Sequence, residues 1–157
     1  MKLWQKIVVC VLVIEGLGSL SGLLTASSIR GWFATLDQPP GNPPNWVFGP
    51  VWTLLYAMMG TAIALIWHRA KAGPNRTKAI TLFISQFALN LAWTPVFFGA
   101  HQIAMALVVI VTMALGILLT IFAFHRIDRL ASRLLIPYFC WVGYATYLNA
   151  GYLYLNR

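Results

Sequence analysis

The side chains that combine hydrogen bonding with aromatic surface recur at helical spacing inside long apolar stretches of this chain. One such stripe consists of Gln86, Asn90, Trp93 and Phe97. At about 100° per residue, these four positions lie within an arc of roughly 60° on a helix. The face they form is polar without being charged. It suits hydrogen bonding and ring stacking to a flat apolar molecule, and we expect it to point into a helix bundle.

Two further stripes have the same character. The first is Phe48, Trp52, Tyr56 and Met59, and the second is Trp141, Ala145, Leu148 and Tyr152, with Asn149 beside it. If the apolar stretches cross a membrane as helices, counting 1.5 Å per residue places Trp52, Asn90 and Asn149 at similar depths. This depth is roughly 10 Å below the membrane surface on the outer side of the cell. A concave, mostly aromatic site with a few amides is the usual form of a small-molecule pocket. The alternative is that the stripes only pack helix against helix, and spacing alone leaves both interpretations open.

Residues suited to covalent or metal chemistry are not arranged to act together. His68, His101 and His125 stand at the ends of apolar runs, far apart in sequence, and predict no metal site. Cys10 and Cys140 fall within apolar runs and are interpreted as packing residues. The sequence contains no Ser-His-Asp or Cys-His arrangement, carboxylate pair or phosphate-binding glycine loop, so hydrolase and phosphoryl-transfer activities have no support. We expect no cofactor.

Glu15 is the only acidic residue within an apolar run. Its carboxylate either faces a polar cavity or a neighbouring helix, or lies near the cytoplasmic third of its helix and reaches interfacial water. The sequence leaves these alternatives open. Gly18 and Gly22 have the small-xxx-small spacing that permits close helix approach, which is weak support for a homodimer.

The composition indicates which solvent surrounds most of the chain. Hydrophobic residues make up 60% of the sequence and charged residues 9%, whereas soluble domains carry roughly 25% charged residues. Five apolar runs have about the 20 residues that cross a bilayer core as helix. They cover residues 7–26, 46–67, 79–98, 102–124 and 134–155. The sequence therefore predicts an all-α fold, with residues 1–157 as a single membrane domain of five transmembrane helices in the lipid bilayer.

The connections between the runs differ in length and charge. Residues 27–45 form the longest loop, and its four prolines exclude a regular helix through residues 39–44. Residues 68–78 and 125–133 form basic loops. Only Gly99 to His101 join the third and fourth runs, so we expect these two to form an antiparallel hairpin.

Lysine and arginine are distributed unequally between the two sides of the predicted bundle. Nine of the eleven lie before the first run or in the basic loops, and only Arg30 and Arg157 lie on the other side. The positive-inside rule then predicts a multi-pass protein with a cytoplasmic N-terminus and an outer C-terminus, as in a bacterial inner membrane. Because the basic residues flank apolar runs, the net charge of +8 indicates membrane topology, and we expect no nucleic acid partner.

Three groups of motifs resemble the translocator protein/tryptophan-rich sensory protein family. They are Trp32-Phe33-Ala34-Thr35-Leu36 with Pro43-Pro44-Asn45-Trp46 and Gly49-Pro50-Val51-Trp52; Asn90-Leu91-Ala92-Trp93-Thr94-Pro95; and Pro137-Tyr138-Phe139-Cys140-Trp141 with Ala145-Thr146-Tyr147-Leu148-Asn149. The motifs occur in order over nearly the whole chain, so together they are a specific resemblance.

The resemblance implies a five-helix bundle, often dimeric, with a ligand pocket beneath the loop at residues 27–45, which would be its lid. Family ligands are porphyrins, including protoporphyrin IX, and in some members cholesterol and benzodiazepine-site drugs. By motif, Trp52 and Trp141 match pocket tryptophans linked to porphyrin binding and breakdown. Leu148, Tyr152 and Arg157 fit a loose cholesterol pattern. The ligand-binding residues predicted from stripes and motifs are Trp32, Phe48, Trp52, Tyr56, Phe87, Asn90, Trp93, Phe97, Trp141, Ala145, Leu148 and Asn149.

Departures from the family pattern concern the lid more than the fold. Many members have tyrosine, lysine and tryptophan at the positions of Phe33, Gln38 and Gly41. The function predicted is a membrane protein that binds porphyrins or other flat apolar molecules, and with less support sterols, for sensing, sequestration or transport. The alternative is an enzyme that degrades porphyrins with light and oxygen, using Trp52 and Trp141 as its catalytic residues.

Overall fold

The computed structural model describes residues 1–157 and contains helices but no β-strand. The seven α-helices are α1 Leu3–Leu24, α2 Ala26–Arg30, α3 Phe48–Arg69, α4 Pro74–Thr94, α5 Ile103–His125, α6 Arg129–Leu134 and α7 Ile136–Leu155. The predicted all-α class is therefore confirmed. The five long helices begin and end within five residues of the five apolar runs.

Four of the long helices are long and apolar enough to cross a membrane: α1, α3 with the turn before it, α4 with the turn after it, and α5. The remaining long helix, α7, has 20 residues and no charged side chain. It carries five of the six tyrosines. Its buried residues recur every three or four positions, so one face packs into the bundle. The count of five membrane spans stays a prediction.

Glycines bring α1 and α3 close together. A Cβ at Gly60 would lie 2.6 Å from the Cα of Val11, and a Cβ at Gly18 would lie 2.3 Å from Cε2 of Tyr56. Only glycine fits such separations without moving a neighbour. A Cβ at Gly22, by contrast, would meet no atom within 4 Å. The close approach at Gly18 is thus made inside the chain, and the Gly18/Gly22 spacing gives no support for a dimer.

Helices α4 and α5 are joined by a short connection, as expected. Pro95 has no N–H to donate to the carbonyl of Leu91, and α-helical bonding gives way to a π-helical turn, Pro95–Gly99. The Leu91 carbonyl instead accepts a hydrogen bond of 3.1 Å from Ser21 Oγ, which ties α1 to α4. His101 adopts a positive φ of 56° where the chain turns into α5.

Two of the predicted loops contain helices, and the loop prediction was wrong at these positions. Residues 27–45 begin within α2 and include a 3₁₀ turn, Phe33–Thr35. Residues 125–133 contain most of α6. Helix α6 forms because Asp128 caps it, with Oδ1 accepting a hydrogen bond of 2.9 Å from the N–H of Ala131.

The start of α1, the end of α3 and the start of α6 meet at one end of the bundle. Lys6 Nζ lies 3.3 Å from Nδ1 of His68 and 5.0 Å from the ring centroid of Trp67. Arg69 forms an ion pair with Asp128. Burial alone would raise the pKa of Asp128, but the N–H of Ala131 and the Arg69 guanidinium outweigh it and hold this pKa below its ordinary value.

The opposite end of the bundle is covered by residues 31–47, which we call the lid segment. Tyr147 Oη donates a hydrogen bond of 2.7 Å to the carbonyl of Pro40. The side chain of Asn156 makes two bonds of 2.9 Å with the backbone of Asp37, one to its N–H and one to its carbonyl. Tyr147 in α7 and Asn156 just after its end therefore fix the path of the lid segment.

Candidate functional site

A cavity of about 390 Å³ lies beneath the lid segment, between α1, α3, α4 and α7. Helix α5 contributes Ile110 and Met113 to its inner end. Its volume falls within the range of roughly 300–1,000 Å³ that is typical of small-molecule pockets. The cavity is hereafter called the aromatic cavity, because Phe, Trp and Tyr side chains from the lid segment, α3, the α4 region and α7 line it.

Ten of the twelve predicted ligand-binding residues line the aromatic cavity. They are Phe48, Trp52, Tyr56, Asn90, Trp93, Phe97, Trp141, Ala145, Leu148 and Asn149. The structure therefore brings the three stripes to one space between the helices.

The other two predicted residues, Trp32 and Phe87, lie outside the lining. The Trp32 ring stacks on His101 with centroids 4.1 Å apart and an angle of 8° between the rings. It also meets the edge of Phe97 at 5.8 Å, so it packs behind a residue of the lining. Phe87 packs against Phe83 and Tyr56, each at 6.3 Å.

Aromatic rings of α3 and α7 meet in the lining. Trp52 and Tyr56 stand one turn apart on α3, with ring centroids 5.4 Å apart and a tilt of 32°. Phe48, one turn before Trp52, meets the edge of Trp141 on α7 at 5.9 Å. A regular α-helix holds such rings in fixed directions, so they form a preformed wall for a flat ligand.

A chain of hydrogen bonds fixes the polar groups at the inner end of the aromatic cavity. Tyr56 Oη donates to Oδ1 of Asn90 at 2.9 Å, and Asn90 Nδ2 donates to Oη of Tyr138 at 2.9 Å. Tyr138 Oη donates to Oε1 of Gln86 at 2.7 Å. The chain joins α3, α4 and α7, and it leaves the ring of Tyr56, not its hydroxyl, free to contact a ligand.

A second amide connects three helices beside the cavity. Trp93 Nε1 donates to Oδ1 of Asn149 at 2.9 Å, and Asn149 Nδ2 donates to the carbonyl of Ile103 at 3.0 Å. Asn149 is buried, with 1% of its surface exposed. Both of its polar atoms are therefore used inside the protein, and its role is to orient the Trp93 indole.

Three polar atoms in residues of the cavity lining have no hydrogen-bond partner in the protein. They are Oδ1 of Asn42, Nε1 of Trp141 and Oη of Tyr152. Buried polar groups normally have partners, because leaving one unpaired costs about 1–3 kcal/mol. Each of the three atoms has almost no surface accessible to water, so they lie behind the cavity surface and do not present a donor or acceptor to the cavity.

One wall of the cavity was not predicted from the spacing of aromatic residues. It is the face of α1 formed by Glu15, Gly18, Ser19 and Gly22. The sequence leaves open whether Glu15 faces the interior of the bundle or reaches interfacial water. The structure supports the first alternative, because Glu15 lines the cavity. The glycines carry no side chain, so this face lacks the ring pattern that marks the other helices. The spacing of Gly18 and Gly22 was the available signal.

The aromatic cavity opens toward the outside of the bundle between α1 and α3. Ser19, Gly49 and Thr53 line the cavity and are exposed as well. All three are small, so the opening is not obstructed by side chains. A molecule larger than the enclosed volume could extend through this opening.

The fold and the cavity together define a multi-pass helical membrane protein with an aromatic pocket beneath a lid. Comparison with known families agrees with this class. The chain belongs to the TspO/MBR family, whose model matches residues 9–155. This confirms the resemblance found in the motifs of the lid segment, α3, α4 and α7.

Named relatives cover most of the chain. The tryptophan-rich protein TspO of Chlorobaculum tepidum is 40% identical over 147 residues, 94% of this chain and 93% of the relative. The human translocator protein is 41% identical over 121 residues, covering 75% and 70% of the two chains. The tryptophan-rich sensory protein of Cereibacter sphaeroides is 38% identical over 125 residues, covering 80% and 77%.

Proposed function

We propose that this protein binds porphyrins of the protoporphyrin IX type in the aromatic cavity, for sensing, sequestration or transport. The observation that carries the proposal is the aromatic cavity itself, in which Trp52 of α3 and Trp141 of α7 belong to one lining. Each favourable aromatic pairing adds about 0.5–1.5 kcal/mol beyond the burial of apolar area. A flat macrocycle makes such contacts on both of its faces.

A charged residue and the opening of the cavity support the same ligand class. The exposed Arg30, at the end of α2, is a cation beside the lid segment for a propionate that leaves the cavity. The opening between α1 and α3 leaves room for a macrocycle that exceeds the enclosed volume.

Sterol binding through the Leu148, Tyr152 and Arg157 pattern has weaker support. Leu148 and Tyr152 are 4% and 3% exposed and line the cavity instead of a lipid-facing surface. Arg157 lies over the ring of Tyr154, 4.6 Å from its centroid. A sterol would therefore have to enter the aromatic cavity to contact the first two.

The alternative function is the oxidative breakdown of porphyrin with light and oxygen. It is favoured by the positions of Trp52 and Trp141 in the lining, where a bound macrocycle would contact both indoles. Repeated turnover distinguishes this activity from damage, because a tryptophan that is consumed once is a reactant and not a catalyst.

One experiment separates the two functions. The protein in a non-ionic detergent is titrated with protoporphyrin IX in the dark, and the shift of the porphyrin absorption band is followed. Saturation near one porphyrin per chain supports binding. Trp141→Phe should weaken it severalfold, whereas Trp46→Phe, at a side chain that is 74% exposed and outside the lining, should leave it unchanged.

The same samples are then illuminated, and the porphyrins lost per protein are counted. Many turnovers that disappear in Trp52→Phe or Trp141→Phe support the enzyme. Saturable binding without turnover supports the binding protein, and binding that never saturates contradicts both functions.

The membrane arrangement that we propose has five spanning helices, a cytoplasmic N-terminus and an outer C-terminus in a bacterial inner membrane. The 9:2 division of Lys and Arg supports it. In a variant without Cys10 and Cys140, single cysteines at Lys2 and Arg157 report the sidedness. A membrane-impermeant maleimide should label intact cells only at position 157. A homodimer, proposed from the family resemblance alone, is tested by light scattering of the purified protein.

A further inference from the structure

Glu15 lies near the middle of α1, on the face of this helix that lines the aromatic cavity. It is 12 residues from the start of α1 and nine from its end, or about 18 Å and 14 Å along the helix axis. A glutamate side chain cannot reach interfacial water across either distance. An ionisable group at this depth destabilises the protein unless it pairs with another group or faces a cavity inside the bundle.

The Glu15 carboxylate has no partner within the protein. The chain contains one ion pair, Arg69 with Asp128, and no side-chain hydrogen bond involves Glu15. The cation that precedes it on α1 is Lys6, nine residues away, which lies against His68 and Trp67. Structural ion pairing therefore does not account for this carboxylate.

The surroundings of Glu15 are aromatic on one side and small on the other. Gly18, next on the cavity face of α1, lies against the Tyr56 ring, and Trp52 follows one turn along α3. Tyr56 gives its hydroxyl proton to Asn90, so its ring and not its hydroxyl is available near Glu15. A carboxylate beside aromatic faces is the arrangement that binds an organic cation, through an ion pair and cation–π contacts.

We propose that the aromatic cavity has a second ligand class, flat aromatic cations that carry N–H donors, with an N–H group at Glu15 and the rings beside Trp52 and Trp141. This rests on the proposed function, since it uses the same cavity. Neutral flat ligands without such a donor gain no affinity from the Glu15 carboxylate. The carboxylate therefore selects cationic over neutral ligands of equal shape.

Matched probes test this inference. They are 9-aminoacridine, which is cationic at neutral pH, and acridine, which has the same three rings and is neutral. Binding of each is followed by fluorescence with the protein in zwitterionic lipid nanodiscs. Glu15→Gln keeps the shape of the side chain and removes its charge. Asp37→Asn removes an exposed acidic group outside the cavity lining and is the charge-matched control.

We expect Glu15→Gln to weaken 9-aminoacridine binding about tenfold or more, the factor for losing one charge-assisted hydrogen bond. Asp37→Asn should leave it unchanged, and acridine and protoporphyrin IX should bind both variants within about twofold of the unsubstituted protein. Glu15→Asp, which keeps the charge, should recover part of the loss. Equal affinity of 9-aminoacridine for the unsubstituted protein and Glu15→Gln overturns the inference.

The two proposals fail in different ways. If protoporphyrin IX saturates the protein but 9-aminoacridine binding does not depend on Glu15, the porphyrin proposal stands and the cation site is wrong. If protoporphyrin IX fails to bind while 9-aminoacridine binds with Glu15 dependence, the cation site stands alone. Folding of Glu15→Gln is verified by its unchanged acridine affinity.

Discussion

The indole N–H of Trp93 donates a hydrogen bond of 2.9 Å to Oδ1 of Asn149, and so joins α4 to α7 at the edge of the aromatic cavity. The amide nitrogen of Asn149 continues to the carbonyl of Ile103 at the start of α5. One buried side chain thus holds three helices and sets the orientation of an indole in the cavity lining.

Replacing Asn149 should destabilise the bundle and loosen the cavity together. Asn149→Ala leaves the Trp93 indole without its partner, and we expect a loss of about 1–3 kcal/mol in the free energy of unfolding. Thermal unfolding in detergent, followed by circular dichroism, measures it. Thr112→Ala is the control, because Thr112 is exposed and bonds only to the carbonyl of Val108 in its own helix. An effect as small as that of the control would contradict a connecting role for Asn149.

Gly18 and Gly22 of α1 should respond differently to the same substitution. In Gly18→Ala the new methyl group overlaps the Tyr56 ring, so we expect a loss of about 1–3 kcal/mol in stability. The displaced Tyr56 should also weaken porphyrin binding, since its bond to Asn90 is disturbed. Gly22→Ala meets no atom within 4 Å and should be neutral or slightly stabilising. Unfolding temperatures and porphyrin affinities of the pair are compared, and equal losses would contradict the α1–α3 contact.

The regular helices made most of the cavity predictable from sequence. In α3 and α7 the α-helical period fixes which side chains share a face, so Trp52 and Trp141 could be assigned to the lining before any contact was known. The aromatic cavity also includes Phe98, which an α-helical period does not group with Phe97. The π-helical turn after Pro95 rotates less per residue than an α-helix, and it brings both phenylalanines to the lining.

The remaining parts depend on contacts that a periodic pattern does not contain. Trp32 lies in an irregular segment, and its place is set by stacking on His101, whose positive φ is not encoded by spacing. Phe87 follows Gln86, a member of the predicted stripe, in the sequence. Its ring packs against Phe83 and not into the cavity lining. Residues 125–133 were predicted to be a loop because they are basic. Helix α6 forms there because it is capped by Asp128, a contact that the charge of the segment does not indicate.

The hydrogen bonds between α7 and the lid segment should control how fast ligands exchange. Tyr147→Phe removes the bond to the Pro40 carbonyl, and Asn156→Ala removes both bonds to the backbone of Asp37. We expect faster amide hydrogen exchange at residues 36–42 in the double variant, and a severalfold faster release of porphyrin. Tyr154→Phe is the control, because Tyr154 is 65% exposed and donates no hydrogen bond. Unchanged exchange in the double variant would show that other contacts hold the lid segment.

The ion pair of Asp128 with Arg69 should make stability depend on pH in the acidic range. The folded-state pKa of Asp128 lies below its ordinary value, so its stabilisation is complete above that ordinary value, near 3.8, and is lost as the pH falls through the lower folded-state value. Asp128→Asn keeps an N-cap residue for α6 but removes the charge, and should cost about 1 kcal/mol at neutral pH. Because the variant lacks this titration, the stability difference between it and the unsubstituted protein should shrink as the pH is lowered from 6 toward 3. Urea unfolding at each pH measures the difference, and a constant difference across that range would show that the charge of Asp128 contributes nothing beyond the helix cap.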